Sequence, residues 1–213
     1  MGPKKIGLIG GLTFRAGIFY YDQILQRYTS ENRELKLVLS HTDVSISLTC
    51  VGAGDKAGLG NYQGSIANEL FDAGEQLVAV TAIAPHLVMN EIASVARGPV
   101  VNVLESIPAA LMAAGINRIG VFGKSAGIET NVFGSVPGQM LVKLKSSVLD
   151  DVHRMYTDIA LHGKRGNQPE MLFLEDAARD VIDNGGAQAI LETCEALAYT
   201  CKCLHVIWVF VAI

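Results

Sequence analysis

Lys5-Ile6-Gly7-Leu8-Ile9-Gly10-Gly11 is a short apolar run that ends in two glycines. A run of this length, rich in isoleucine and leucine, predicts a strand over Lys5–Ile9. The glycine pair predicts a tight turn, and the pattern that follows predicts a helix over Ala16–Arg27. A strand, a glycine turn and a helix in this order are typical of the first unit of a parallel α/β sheet.

The same alternation of strands and helices continues along the chain. Further strands are predicted over Leu35–Ser40, Val44–Leu48, Leu77–Ile83, Pro99–Val103, Arg118–Phe122 and Ala187–Leu191. Helices are predicted over Tyr62–Ala73, Leu87–Ala96, Ile107–Ala114, Val152–His162 and Met171–Asp183. The alternation predicts a mainly parallel, doubly wound α/β protein, in which ligands bind beyond the carboxyl ends of the strands.

Two distant segments of the chain have a similar pattern. Ala73-Gly74 precedes the predicted strand Leu77–Ile83, much as Gly185-Gly186 precedes the predicted strand Ala187–Leu191. Two similar half-molecules that face each other would explain this similarity.

The composition excludes several classes of protein. Of the 213 residues, 50% are hydrophobic and 18% are charged, which excludes a disordered chain. The net charge of −4 provides no basic field for nucleic acid. No signal peptide and no apolar run of bilayer length is visible, so we expect a cytoplasmic protein without a membrane partner.

Three motif-like segments do not lead to a cofactor or a metal. Gly52–Gly58 has the glycine spacing of a dinucleotide loop but lacks the acidic residue after a following strand, which favours a flexible loop. Gly123-Lys124-Ser125 resembles the end of a phosphate-binding loop, but Arg118 stands where that motif needs glycine. Cys201-x-Cys203-x-His205 fits no standard zinc spacing, so no metal site is expected.

Four segments occur in the order of a known family's motifs. They are Lys4–Gly11 with Tyr20-Tyr21 downstream, Ala73–His86, Asn117–Gly123 and Gly185–Glu195. Together they resemble the aspartate/glutamate (Asp/Glu/hydantoin) racemase superfamily over almost the whole chain, up to about Glu195.

The resemblance implies a fold and a chemistry. The fold would have two pseudosymmetric lobes, each with a mainly parallel sheet flanked by helices, and an active-site cleft between them. We expect an N-terminal lobe over residues 1–97 and a second lobe over 98–191. Residues 192–213 would return to the first lobe or cover an interface. The chemistry would be proton transfer at Cα of a small carboxylate or amino acid without a cofactor, in a protein expected to be a homodimer.

The chain departs from the family at both catalytic cysteines. Aligned on His86, the first motif places Ala82 at the first cysteine position. The second motif reads Glu192-Thr193-Cys194-Glu195, which places Thr193 at the second cysteine position and Cys194 one residue later. His86 and Cys194 are therefore the candidate acid–base groups, and a local structural role is the alternative for His86.

The loops that would hold the substrate carboxylate also carry candidates. The resemblance and the loop positions predict substrate-binding roles for Gly11, Thr13, Arg15, Asp43, Thr81, Lys124, Ser125 and Lys164. Lys124 stands where the family has a threonine. Arg15 directly precedes Ala16 and Gly17, which stand where the family has small hydroxyl residues. Arg15 and Lys124 would bind an anion in a different way, and the alternative is that both are solvated loop charges.

Three functions remain open at this point. The first is an amino-acid racemase-like isomerase, impaired or altered because Ala82 and Thr193 replace the cysteine pair. The second is a superfamily lyase or isomerase that acts on another small carboxylate or a hydantoin. The third is a non-catalytic homologue that binds small anions. The apolar tail Leu204–Ile213 should in each case be buried in the sheet or in a dimer interface.

Overall fold

A computed structural model of the chain describes residues 4–11, 16–123, 125–162, 168–193 and 206–207. The chain divides into two compact units, Met1–Asn102 and Val103–Ile213. Each unit has its own parallel sheet with helices packed on it. The predicted α/β class with two parallel sheets flanked by helices is therefore confirmed.

The sheet of the first unit has the strand order β2-β1-β3-β4. Its strands are β1 (Lys5–Gly10), β2 (Lys36–His41), β3 (Leu77–Val80) and β4 (Val100–Val101). Its helices are α1 (Ala16–Ser30), α2 (Val44–Ala53), α3 (Lys56–Asp72) and α4 (Met89–Val95), with a 3-10 turn over Ala84–Val88. All strand pairs are parallel, and Ile9 in the central strand β1 lies opposite Ser40 and Val80.

The second unit repeats this topology with the order β6-β5-β7-β8. Its strands are β5 (Ile119–Phe122), β6 (Leu141–Val142), β7 (Ala189–Glu192) and β8 (Val206–Ile207). Its helices are α5 (Val103–Ala113), α6 (Ser125–Glu129), α7 (Ser146–His162) and α8 (Gln168–Arg179), with a 3-10 turn over Gly138–Met140 and a π-helical turn over Asp180–Asn184. The pairs are again parallel, and Phe122 lies opposite Glu192.

One predicted strand and one predicted loop are wrong. The segment Val44–Leu48 belongs to the helix α2, because Asp43 caps its N-terminus by accepting a 2.8 Å hydrogen bond from the Ser45 amide. Gly54 ends α2 in the left-handed conformation, with φ of 67°. The predicted flexible loop Gly52–Gly58 is the junction of α2 with α3, and Asp55 caps α3.

Other predicted elements agree in type but differ in length. The predicted strand Pro99–Val103 is reduced to Val100–Val101, because α5 begins at Val103. The short strand β6 was not predicted. Within the apolar tail, Val206 and Ile207 pair with Ile190 and Leu191 of β7, so this part of the tail joins the sheet. The rest of the tail lies outside the described residues.

Each unit has an apolar cluster between its sheet and its helices. In the first unit the cluster consists of Ile9, Ile66, Ala67, Leu70, Val78, Val80 and Ala82. In the second unit it consists of Phe122, Val152, Met155, Tyr156, Leu174, Ala177, Ala178, Val181, Ala187 and Ile190. Burial of these side chains is the main term that holds the helices on the sheets. No helix in the described part of the chain is long and apolar enough to cross a membrane.

Glycines allow α3 and α4 to pack closely. A Cβ on Gly64 would lie 2.7 Å from Cβ of Val95 and 3.3 Å from the carbonyl oxygen of Ile92. Gly60 faces Glu91 in the same way, and a Cβ there would overlap the Glu91 side chain. The sequence Gly60-x-x-x-Gly64 thus determines how near the two helices can approach.

We predict that Gly64→Ala destabilises the protein. The overlap with Val95 involves a branched carbon next to the backbone, so it outweighs the higher helix propensity of alanine. The expected loss in the free energy of unfolding is about 1–2 kcal/mol, measured by urea denaturation. The matched control is Gly52→Ala, because a Cβ at that helical position meets nothing within 4 Å. It should be neutral or raise stability by up to about 1 kcal/mol. Equal effects of the two changes would contradict the packing argument.

Candidate active site

The turn after β1 is built around Gly11. The amide and the hydroxyl of Thr42 both donate to the carbonyl of Gly10, at 2.9 Å and 2.7 Å. Gly11 has φ of +83°, and a Cβ there would lie 2.7 Å from the Thr42 backbone nitrogen. Only glycine is compatible with this turn. The predicted site residue Gly11 therefore has a structural reason to be glycine, and Thr42 is its partner.

Asp43 follows Thr42 at the same edge of the sheet. Its carboxylate caps α2, and its backbone amide donates to the Tyr62 hydroxyl at 3.0 Å. The hydrogen bonds from Ser45, side chain first and then backbone, hold the pKa of Asp43 below its usual range, and His41 adds a smaller electrostatic contribution. Asp43 is thus an exposed carboxylate that is ionised at neutral pH and already engaged as a helix cap.

Thr81 and Ala82 end the third strand of the first unit. The Thr81 amide and hydroxyl both donate to the carbonyl of Ile9, at 3.0 Å and 2.9 Å, and the side chain is fully buried. Ala82 is 6% exposed and belongs to the apolar cluster with Ile9. The position predicted for the first cysteine therefore has a small apolar side chain, and the hydroxyl before it is used for structure.

His86 is buried and faces backbone carbonyls. Its Nδ1 lies 2.8 Å from the carbonyl oxygen of Ala82 and 3.2 Å from that of Ile83. Because a carbonyl can only accept, Nδ1 carries the hydrogen. Burial lowers the pKa of His86, while hydrogen bonds to the backbone at Ala82, Ile83 and Val101 act in the opposite direction. His86 therefore stabilises the turn that follows the first motif, as a neutral ring.

Thr193 has the place in the second unit that Thr81 has in the first. Its amide and hydroxyl both donate to the carbonyl of Phe122, at 2.9 Å and 3.3 Å. The side chain is 8% exposed. Gly123 has a φ of +149°, and the Thr193 hydroxyl occupies the space that a Cβ on Gly123 would take. A Cβ on Gly127 would lie 3.1 Å from the same hydroxyl oxygen.

The strand register makes Thr81 and Thr193 equivalent. Val80 lies opposite Ile9 in the first sheet, and Thr81 follows it. Glu192 lies opposite Phe122 in the second sheet, and Thr193 follows it. Each threonine thus donates twice to the carbonyl near the end of its central strand, an arrangement called here the threonine clamp.

Ser125 begins α6 next to the second threonine clamp. Its backbone amide donates to Nδ1 of His153 on α7 at 2.9 Å. Sequence reasoning missed His153, Thr42 and Tyr62. A hydroxyl directly after a strand was a signal for Thr42, whereas nothing in the sequence links His153 or Tyr62 to their partners.

Several predicted site residues lie outside the described residues. They are Thr13, Arg15, Lys124, Lys164 and Cys194. Among the residues that the structure does describe, no group of three or more His, Cys, Asp or Glu side chains could hold a metal ion.

Comparison with known proteins identifies the family. A family model described as Asp/Glu/Hydantoin racemase matches residues 9–199. The chain belongs to this family. The resemblance expected from the sequence motifs is therefore confirmed. A search of curated proteins finds no match to the chain.

Solved racemase structures share the fold. A candidate Asp/Glu racemase from Yersinia pestis has a TM-score of 0.78 at 18% identity, over 97% of this chain and 94% of that one. An aspartate racemase homologue from Pyrococcus horikoshii has a TM-score of 0.74 at 19% identity, over 96% of this chain and 92% of that one. A glutamate racemase from Thermus thermophilus has a TM-score of 0.59 at 17% identity, over 92% and 69%. The racemase fold is thus retained with a largely different sequence.

The buried His86 predicts a pH dependence of stability. Its pKa in the folded protein lies below the ordinary value of 6.5, so the unfolded chain binds the proton first as the pH falls. The stability that the neutral ring provides is complete above about pH 6.5 and is lost as the pH falls through the folded-state pKa. One such group contributes at most about 1.4 kcal/mol per pH unit.

The test compares wild type with His86→Asn between about pH 8 and pH 5. The asparagine amide can still donate to the Ala82 carbonyl but does not titrate. We expect the melting temperature of wild type to fall more steeply with acid than that of the variant. Carboxylates common to both proteins cancel in the difference. Parallel curves would contradict the prediction, because they would show that folding does not lower the pKa of His86.

Proposed function

We propose that the chain catalyses cofactor-independent proton transfer at Cα of a small carboxylate, as an amino-acid racemase-like isomerase. The observation that carries this proposal is the repeated edge of the two sheets in a member of the racemase family. In each unit, a threonine clamp ends the third strand beside a glycine-containing turn after the central strand. Ligands of parallel α/β sheets bind at such edges.

The residues at the two motif positions cannot themselves transfer the proton. Ala82 has no ionisable group, and the Thr193 hydroxyl donates to the Phe122 carbonyl. The equivalence of Thr81 and Thr193 supports another pairing, because the residues that follow them in the chain are Ala82 and Cys194. We assign the reactive thiol to Cys194, which makes the first unit the one that lacks its cysteine.

The chemistry then uses one thiol. The Cys194 thiolate would accept the proton from Cα, which leaves the thiol and a carbanion next to the carboxylate. A proton returned from solvent to the same face would give exchange without inversion. A proton delivered from solvent to the opposite face would give the other enantiomer, and the thiol would then lose its proton to the hydroxide that remains. Cations favour the thiolate, and Arg15, Lys124 and Lys164 are the candidates for this effect and for holding the substrate carboxylate.

Ala82 and Thr193 at the predicted cysteine positions also favour a second function. A lyase or isomerase that acts on another carboxylate or a hydantoin could use a single thiol, and a binding protein needs none. An allantoin racemase from Klebsiella pneumoniae, at a TM-score of 0.56 and 16% identity, shows that the fold also serves a protein named for a hydantoin.

The first test is Cα hydrogen exchange in D₂O with L- and D-aspartate and L- and D-glutamate, followed by proton NMR. We expect exchange by wild type and a loss of about 10²-fold or more in Cys194→Ser, because the hydroxyl is a far weaker acid. Cys50→Ser is the matched control, since Cys50 packs on the cluster of Leu59, Val88 and Ile92. If neither aspartate nor glutamate exchanges its Cα hydrogen at high protein concentration, the racemase function is refuted. Stabilisation by small dicarboxylates in the same preparation would then favour the binding protein.

The second test restores the missing side chain. Ala82→Cys should raise the ratio of racemisation to exchange, because it supplies an acid–base group to the first unit. Ala82→Ser is the control for size and polarity, and should leave that ratio unchanged. Circular dichroism of the amino acid and deuterium incorporation measure the two rates. An unchanged ratio in Ala82→Cys would show that position 82 does not face Cα of the substrate.

A further inference from the structure

Three residues after β5 are called here the loop: Gly123, which directly follows the strand, and Ser125 and Gly127 in the first turn of α6. They are held on two sides by groups from other parts of the chain. Thr193 fills the space beside Gly123 and Gly127, and His153 accepts the amide hydrogen of Ser125. We propose that His153 is a positioning residue for this loop and thereby for the binding of a substrate carboxylate. The inference about the carboxylate rests on the proposed function, whereas the anchoring of the loop does not.

The hydrogen bond determines the form of the imidazole. The Ser125 amide can only donate, and it lies 2.9 Å from Nδ1 of His153. Nδ1 must therefore be unprotonated, and the neutral ring carries its hydrogen on Nε2. This tautomer is the opposite of that of His86, whose Nδ1 faces carbonyl oxygens.

His153 connects the loop to the apolar cluster of the second unit. On α7 it stands between Val152 and Tyr156, which are both fully buried in the apolar cluster with Phe122. Phe122 is also the last residue of β5, directly before Gly123. The imidazole thus ties Ser125 to the same cluster that fixes the end of the strand, through a partner 28 residues further along the chain.

Together these contacts fix the loop at alternate residues. Gly123 and Gly127 lie against the Thr193 hydroxyl, and Ser125 between them is bonded to His153. A loop held in this way binds an anion without first losing conformational entropy. The neutral imidazole performs this role without adding a charge of its own.

The first experiment separates the acceptor from the ring. His153→Asn keeps an acceptor near Nδ1, whereas His153→Phe keeps a planar ring without one. With succinate as the probe, we expect His153→Phe to raise the dissociation constant about tenfold or more and His153→Asn to change it less than about threefold. The control is Thr157→Val, because that hydroxyl donates to the His153 carbonyl within α7 and not to the loop. It should leave the dissociation constant unchanged. Equal affinities of the Asn and Phe variants would overturn the positioning role.

The second experiment needs no ligand. Nitrogen-15 NMR of wild type should show His153 with Nδ1 unprotonated and Nε2 protonated. The Ser125 amide should exchange with solvent at least about tenfold faster in His153→Phe than in wild type, with rescue in His153→Asn. A ring protonated at Nδ1, or equal exchange in wild type and the Phe variant, would overturn the inference. If succinate does not bind to wild type, the carboxylate function fails while the NMR result still decides the role of His153. If the Phe variant does not fold, the tautomer in wild type decides it.

Discussion

The carbonyl oxygen near the end of each central strand accepts two hydrogen bonds from one threonine on the neighbouring strand. Ile9 accepts from the amide and hydroxyl of Thr81, and Phe122 accepts in the same way from Thr193. The hydrogen bond from the amide extends the ladder of hydrogen bonds between the parallel strands by one residue. The hydrogen bond from the hydroxyl gives a partner both to the buried side chain and to the second lone pair of the carbonyl oxygen. The direction in which the chain leaves both strands depends on this clamp, and so does the space left for the glycines beside it.

The clamp also determines which polar groups are free for chemistry. A hydroxyl that donates to a buried carbonyl is costly to withdraw, because the oxygen would lose a partner in an apolar environment. Thr81 and Thr193 are therefore structural groups, although both follow strands at the edge where ligands bind. His86 is structural in the same sense, because its Nδ1 hydrogen is directed to backbone carbonyls. Any group that transfers a proton or holds an anion must therefore be a different one from these three side chains.

The sequence allowed the fold to be predicted better than the site. Strands such as Lys5–Gly10 are short apolar runs next to glycines, and that signal is local. The error at Val44–Leu48 arose because β-branched residues favour a strand, while the capping residue Asp43 and Gly54 determine a helix. The threonine clamp joins residues 72 positions apart at Thr81 and Ile9, and the bond between Ser125 and His153 spans 28 positions. Such partners depend on strand register and helix placement, which no local pattern contains.

Ala82 and Thr193, the positions predicted for the two cysteines, are packed in different ways. The position predicted for the first cysteine is Ala82, which packs in the cluster of Ile9, Val78 and Val80 and is 6% exposed. Cysteine behaves as a small apolar residue when it is buried, so alanine and cysteine at this position differ little in packing. The second unit differs, because Gly123 and Gly127 must accommodate the Thr193 hydroxyl, and a change at Thr193 would alter the loop after β5. A change at position 82 is therefore expected to have little effect on the fold, whereas a change at Thr193 would also change the packing around Gly123 and Gly127.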